Sequence, residues 1–319
     1  MKRLLVIGKR GGILQWYEHV LAAAAKIPGV ETLGFAVNQK TLGDRLVNRW
    51  HLLIGQDPHT EMTARLADTL RRFRPDICLI VDRFYLSPAF NDLLSVVRIP
   101  VHQWVGDRFD ERLVDNSAVQ RFWFTDSGLA SLAQTIGIRE AQWLPLAVNT
   151  DMYVTRLPWH ARAPELLFVG AWSENRQQII EQLTLPMRLV GKGWHRLASP
   201  WHQVHPYNIT QAQLVELYGR HRYILNVINS DNIMSGLNMR CFEATAAGAC
   251  LVTDDVADLA RCFHAGEEVL AWKTPEDIVH LPDVPDAMTL HAQLAQRGRE
   301  RTLAEHDYRH RLQQILNDS

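Results

Sequence analysis

Cysteine is scarce in this chain. Cys78, Cys241, Cys250 and Cys262 are the only four in 319 residues, and no two form a CxxC pair. That argues against a disulfide framework and against a zinc ribbon, both of which need thiols in set positions. Cys78 and Cys250 lie inside apolar runs, where a free thiol behaves as a small hydrophobe. An excess of one charge is missing too. The 34 Lys and Arg offset 35 Asp and Glu to leave a net charge of −1, so no broad basic surface points to nucleic acid or an anionic membrane. No apolar run approaches the roughly 18 residues of a membrane span. The opening MKRLLVIGKRGG breaks its apolar stretch at Gly8, too early for a signal peptide. A cytoplasmic protein without a transmembrane segment is expected. Internal repeats and low-complexity segments are absent as well.

What is present is a sustained alternation of apolar strands and helical stretches. Apolar residues make up 47% of the chain, enough for two cores of about 150 residues each. Strands are expected at 4–7, 30–37, 77–81, 101–105, 121–124 and 142–146, with helices at 13–26, 41–54, 58–73, 88–97 and 128–136 between them. Residues 145–164 carry Pro145, Pro158 and Pro164 and read as a linker. The alternation restarts at 166–169 and continues through strands at 187–190, 203–205, 223–228, 249–253 and 268–271. A charged helical stretch at 288–317 closes the chain. Such alternation predicts parallel sheets covered on both faces.

The central stretch is YILNVINSDNIMSGLNMRCFEATAAGACLVTD, residues 223–254. It reads as strand, polar loop, helix and strand. Asn238 stands at the N-cap position, where its side chain can take an orphan backbone N–H. Arg240 and Glu243 are three apart and share a helix face, while Met239, Phe242 and Ala246 mark the apolar face. Gly248 suits the helix stop. A helix N-terminus with an Arg in its first turn is a natural anion site, although an ordinary surface Arg–Glu pair is the commoner meaning of that spacing. Gly170 with Arg176, Gly191 with Lys192, and Pro206 with Tyr207 likewise follow strand ends. In a parallel sheet those ends share one edge. Two cations and a carboxylate there suit a diphosphate joined to a ribose. The first strand runs into Gly8-Lys9-Arg10-Gly11-Gly12, a basic Gly-rich turn that fits either a phosphate approach or a plain tight turn.

Several segments carry a family resemblance: FWFTDSGLASLAQTIGI, WLPLAVNTDMY, LLFVGAWSENRQQII, LVGKGW, LYGRHRYILNVIN, SGLNMRCFEATAAGACLVTDDVADLARCFHAGEEVLAW and EHDYRHRLQQIL. In this order, over roughly residues 122–316, they resemble the CgeB-like, spore-protein-type glycosyltransferases, related to glycosyltransferase family 1/4. The most specific is LNMRCFEATAAG. The first 120 residues match only as a generic N-domain. The resemblance implies the GT-B fold, α/β with two Rossmann-like domains whose parallel sheets face across a cleft. Residues 1–147 would form the acceptor-side domain, 148–302 the nucleotide-sugar domain, and 303–319 a helix packing back on the first.

By position, the resemblance implies that Glu243 binds the donor ribose and that Arg176 and Lys192 contact the diphosphate. Ser235, Gly236, Asn238 and Arg240 would lie beside phosphate and sugar. Pro206 and Tyr207 would sit by the base, and Gly11 and Gly12 would approach the phosphates from the other domain. The broader family carries two glutamates with seven residues between them, the first touching the donor sugar; here the second is Glu243 and the first position holds Ser235. No DxD pair occurs, which argues against a metal-dependent transferase of the GT-A type. No metal or cofactor is expected, because protein cations and helix dipoles can meet the charge of a leaving diphosphate. For acceptor activation Asp107 is the first candidate and His102 the second, although His102 also suits a hydrogen-bonded place in the core. By family analogy a retaining outcome is favoured, and then no dedicated base is needed.

The expected activity is transfer of a sugar from a nucleotide sugar to a glycan, lipid-linked or protein acceptor, as in bacterial surface glycan or glycoconjugate assembly. A nucleotide-sugar 2-epimerase shares the architecture but needs several acid/base carboxylates, of which the first half offers few. A non-catalytic GT-B-like nucleotide- or glycan-binding protein is the third alternative. A periplasmic sugar-binding protein has a similar outline but needs a signal peptide.

Overall fold

The computed structural model describes residues 1–11, 16–38, 60–82, 85–154, 157–197, 199–205 and 209–318. The helix expected at 41–54 lies outside them. The chain divides into two units, Met1–Leu144 with Tyr308–Ser319, and Pro145–Asp307.

The first unit holds a six-stranded sheet of order β2-β1-β3-β4-β5-β6, with every pairing parallel. Its strands are β1 (Lys2–Gly8), β2 (Val30–Ala36), β3 (Ile77–Val81), β4 (Val101–Val105), β5 (Arg121–Phe124) and β6 (Ala141–Trp143). All residues of β3 and β4 are buried, as expected of strands covered on both faces. The covering helices described are α1 (Trp16–Ala24), α2 (Thr60–Phe73), α3 (Pro88–Val96) and α4 (Ser127–Thr135). Asp126 caps α4, its side chain accepting from the Leu129 amide at 3.1 Å.

The second unit repeats the plan. Its sheet has the order β12-β11-β10-β7-β8-β9, again all parallel. The strands are β7 (Ala163–Val169), β8 (Met187–Val190), β9 (His202–His205), β10 (His221–Leu225), β11 (Cys250–Asp254) and β12 (Leu270–Trp272). The helices are α5 (Glu174–Ile180), α6 (Gln211–Arg220), α7 (Met239–Ala246), α8 (Leu259–Cys262), α9 (Pro275–Val279) and α10 (Ala287–Glu305). Gly248, at φ 68°, ends α7 in the left-handed conformation that glycine adopts without strain. All four cysteines are buried and free.

The closing helical stretch is not continuous. It breaks at His306 and Asp307, and α11 (Tyr308–Asn317) begins there as part of the first unit. Asp307 is drawn out of helical register because its carboxylate accepts from the Thr150 amide (3.1 Å) and hydroxyl (2.6 Å). In the first unit α11 lies on α1, with the His19 and Tyr308 rings stacked at 6.1 Å. Lys2 Nζ also donates to the Leu316 carbonyl at 2.6 Å. No helix among the described residues is long and apolar enough to cross a membrane.

Candidate functional site

The second sheet reverses its strand order between β7 and β10. The chain leaves β7 towards β8 and β9, then returns to β10 and continues to β11 and β12. In an open parallel sheet the strand C-termini at such a reversal form the natural ligand crevice.

The side chain of Asn226, wholly buried just after β10, is the hub of this edge. Its Oδ1 accepts from Asn238 Nδ2 (2.7 Å) and Arg240 Nη1 (2.8 Å). Its Nδ2 donates to Thr253 Oγ1 (3.0 Å) and Asp254 Oδ2 (3.2 Å). One amide thus ties α7 to the end of β11. Asp254 Oδ2 also accepts from the Ile228 amide at 3.1 Å. Burial raises the Asp254 carboxyl to about 6, against the pull of hydrogen bonds from its own and the Ile228 backbone amides and of the Arg176 and Arg240 charges. The sequence signal for this hub is a lone Asn in the otherwise apolar run YILNVI.

The two arginines share one ring. The Arg240 and Arg176 guanidiniums lie 5.1 and 5.5 Å from the centroid of Phe168. Arg176 is nearly enclosed and donates twice to backbone: Nε to the Val227 carbonyl and Nη1 to the Ala171 carbonyl, both at 2.9 Å. Burial pulls its pKa down to about 9, with Arg240 adding to the fall and Asp254 opposing it. Arg176, expected on the diphosphate, ties the loops after β7 and β10 together in this structure. Arg240 differs. Its Nε is buried without a protein partner, and Nη2 lies where a Cβ on Gly170 would come within 2.7 Å.

Two glycine turns complete the edge. A Cβ on Gly191 would fall 1.8 Å from the Gly170 carbonyl oxygen, so only glycine lets the loops after β7 and β8 nest. Their pairing continues beyond the strands through Gly170 N to Val190 O (2.9 Å) and Trp172 N to Lys192 O (2.8 Å). Lys192 is exposed at this edge. So is Trp172, whose indole N–H donates to Gln177.

Glu243, expected at the donor ribose, is nearly enclosed in this structure. Its carboxylate is 5% exposed and accepts from the Tyr153 hydroxyl (2.8 Å) and, at 3.4 Å, from the Tyr218 hydroxyl. Burial raises its pKa, opposed by the Tyr153 hydrogen bond, the Arg240 charge and the Tyr218 hydrogen bond. No Arg240–Glu243 ion pair forms among the described residues. Asn238 occupies the N-cap position, yet its side chain makes no cap bond and serves Asn226 instead. Ser235 and Gly236 lie in the loop before α7, and the Ser235 carbonyl accepts from the Asp258 amide at 3.0 Å. Pro206, Tyr207 and Gly12 lie outside the described residues.

In the first unit Gly11 takes φ 91° and its amide donates to Glu18 Oε1 at 2.7 Å. A carboxylate of the protein thus meets the amide expected at a phosphate. Asp107 is half-buried just beyond the C-terminal end of β4. His102 sits near the other end of that strand. It is buried, and its Nδ1 accepts from Trp123 Nε1 at 3.3 Å. Burial, with the Arg121 charge, lowers its pKa to about 4. It is a core histidine, separated by the length of β4 from Asp107.

Residues 173–317 match a family model described as glycosyl transferase-like. No curated protein matches the chain in sequence. Solved structures match along its length. Sucrose-phosphate synthase from Thermosynechococcus elongatus superposes with a TM-score of 0.69 at 11% identity, covering 99% of this chain and 98% of that one. Anabaena Alr3699/HepE in complex with UDP-glucose gives 0.67 at 10% identity, covering 100% and 99%. UDP-GlcNAc 2-epimerase from Neisseria meningitidis gives 0.54 at 15%, covering 99% and 100%. These likenesses establish the GT-B fold of two Rossmann-like domains, a fold that carries more than one chemistry.

Proposed function

We propose that the protein is a glycosyltransferase that draws its sugar from a nucleoside diphosphate sugar bound at the strand-end edge of the second unit. The observation that carries this is the half-used guanidinium of Arg240. It is fixed by Asn226 and Phe168, has a buried Nε without a protein partner, and lies at the sheet's reversal point within the matched region. A preorganised cation at that point suits an oxygen-rich anion, and charge that develops on a leaving diphosphate is best met by donors already in place.

In this reading Arg240 and exposed Lys192 meet the diphosphate without a metal. Arg176 and Asn226 hold the loops that present them. Glu243 braces α7 through Tyr153 and Tyr218. The acceptor, a glycan, lipid-linked sugar or protein, belongs to the first unit, where Asp107 stands at the strand-end edge. The binding of UDP-glucose by the HepE relative makes UDP-sugars the first donors to try.

The test is a thermal-shift series with UDP, UDP-glucose and other nucleotide sugars, since a ligand of the folded state raises Tm by mass action. It is followed by measuring nucleoside diphosphate release with and without a glycoside acceptor. Release that depends on the acceptor is expected. Conversion of the sugar without an acceptor would replace this reading with epimerisation, and nucleotide binding without either reaction would leave a binding protein.

A further inference from the structure

Asp82, just past β3 in the first unit, has φ 95°. The other non-glycine residues at positive φ among those described are Arg74, Arg98 and Asp286, at 49°, 52° and 54°. Those values fall in the ordinary left-handed region; Asp82 lies well beyond it. Such a conformation persists only where the surroundings over-determine it, and it points to function when found at a ligand edge.

The surroundings are built for this. The Asp82 amide donates to the Trp104 carbonyl at 2.9 Å. Its own carbonyl accepts from Gln103 Nε2 at 3.1 Å. Gln103 is wholly buried, and its Oε1 accepts from Asn116 Nδ2 at 2.7 Å. Asn116 is buried too, and its Oδ1 accepts from the Leu86 amide at 2.8 Å. Two buried amides thus grip the chain at Asp82 and again at Leu86. Nothing in a plain β–α turn calls for such a pair, since buried polar side chains are costly unless fully bonded.

The grip fixes the backbone from which the Asp82 carboxylate projects. Asp82 Oδ2 lies 3.3 Å from Lys9 Nζ, which follows β1. β3 runs between β1 and β4, so Asp82 stands between Lys9 and Asp107 along the strand-end edge. An ionised carboxylate only accepts hydrogen bonds, so its ligand must bring donors. With Lys9 already beside it, a cationic ligand is disfavoured and a neutral hydroxyl is the fitting partner.

We infer that Asp82 is an acceptor-binding residue, taking a hydrogen bond from a sugar hydroxyl of the acceptor, and that Gln103 and Asn116 are positioning residues that hold it in place. This rests on the transferase reading above.

Asp82→Gly separates strain from function, because glycine adopts φ 95° freely. The variant should melt at the wild-type temperature or about 2 °C higher. Its kcat/KM for a methyl glycoside acceptor, read as UDP release from UDP-glucose or whichever nucleotide sugar shifts the wild-type Tm, should fall at least tenfold. The thermal shift given by that donor alone should stay unchanged. Asp82→Asn, which keeps an oxygen acceptor, should retain more activity than Asp82→Gly. Wild-type kcat/KM in Asp82→Gly would overturn the inference and leave the transferase reading standing. So would a wild type that binds the donor but accelerates its turnover with no glycoside. Failure of every nucleotide sugar to bind the wild type would overturn the transferase reading, and this inference with it.

Discussion

Arg240 Nη1 donates to Asn226 Oδ1 across 2.8 Å, and Asn226 keeps a second donor on the same oxygen, Asn238 Nδ2 at 2.7 Å. Losing the arginine therefore leaves the hub bonded. Arg240→Ala is expected to change folding stability by no more than about 1 kcal/mol, as for one hydrogen bond removed beside an intact one. Affinity for a nucleoside diphosphate should fall at least tenfold, the lower end for charge-assisted hydrogen bonds. Arg240→Lys should recover little, since a lysine has neither the planar stack on Phe168 nor the fork. Urea unfolding and UDP titration by calorimetry read the two effects separately. Equal loss in both would reduce Arg240 to a structural residue.

Glu243 calls for the opposite pattern. Its carboxylate is the common acceptor of the Tyr153 and Tyr218 hydroxyls. Glu243→Ala strands both hydroxyls beside a new cavity and should cost about 3 kcal/mol. Glu243→Gln keeps an oxygen for Tyr153 and should cost about 1 kcal/mol or less. As a brace, Glu243 should leave the UDP affinity of the Gln variant unchanged. A tenfold weaker Kd with normal stability would put the carboxylate on the ligand after all.

Asp254 makes stability depend on pH. Its carboxyl sits at about 6 in the folded chain against an ordinary 3.8, with burial the main cause. The folded state thus holds this proton where the unfolded state has released it. The contribution is fully present below about pH 4 and is lost as pH rises through 6, with an upper size of about 3 kcal/mol. Asp254→Asn lacks this titration. Relative to the wild type it should gain stability between pH 4.5 and 7.5. Parallel urea midpoints at those two pH values check the direction, and a constant difference would refute the burial argument.

Much of the architecture was legible because parallel β/α folding leaves a local mark. The strands at 77–81, 101–105, 121–124 and 187–190 stand where their apolar runs placed them, since residues buried on both faces must be apolar. Side-chain partnerships were not legible. Glu243 meets Tyr153 and Tyr218, 90 and 25 residues away, and no local spacing encodes that. Arg176 and Lys192 look alike in sequence, yet one is locked to Val227 and Ala171 and the other is exposed. The break in the closing helix depends on Thr150, 157 residues from Asp307. The strain at Asp82 comes from buried amides on other elements, and only a three-dimensional view assembles them.

Two glycines should respond in opposite ways to the same change. A Cβ on Gly191 would meet the Gly170 carbonyl oxygen at 1.8 Å, a backbone atom held by the Trp194 indole N–H at 2.8 Å. The loops after β7 and β8 would have to part, breaking the Trp172–Lys192 backbone hydrogen bond and shifting the Lys192 turn. Gly191→Ala should cost 3 kcal/mol or more, on the order of a severe core clash, and should abolish nucleotide binding wherever the protein still folds. Gly219 lies inside α6 with nothing within 4 Å of its Cβ position. Gly219→Ala removes backbone freedom from the unfolded chain without a clash and should add about 0.5–1 kcal/mol. Denaturant midpoints of the pair settle both, and a tolerated Gly191→Ala would mean that the two loops do not nest as described.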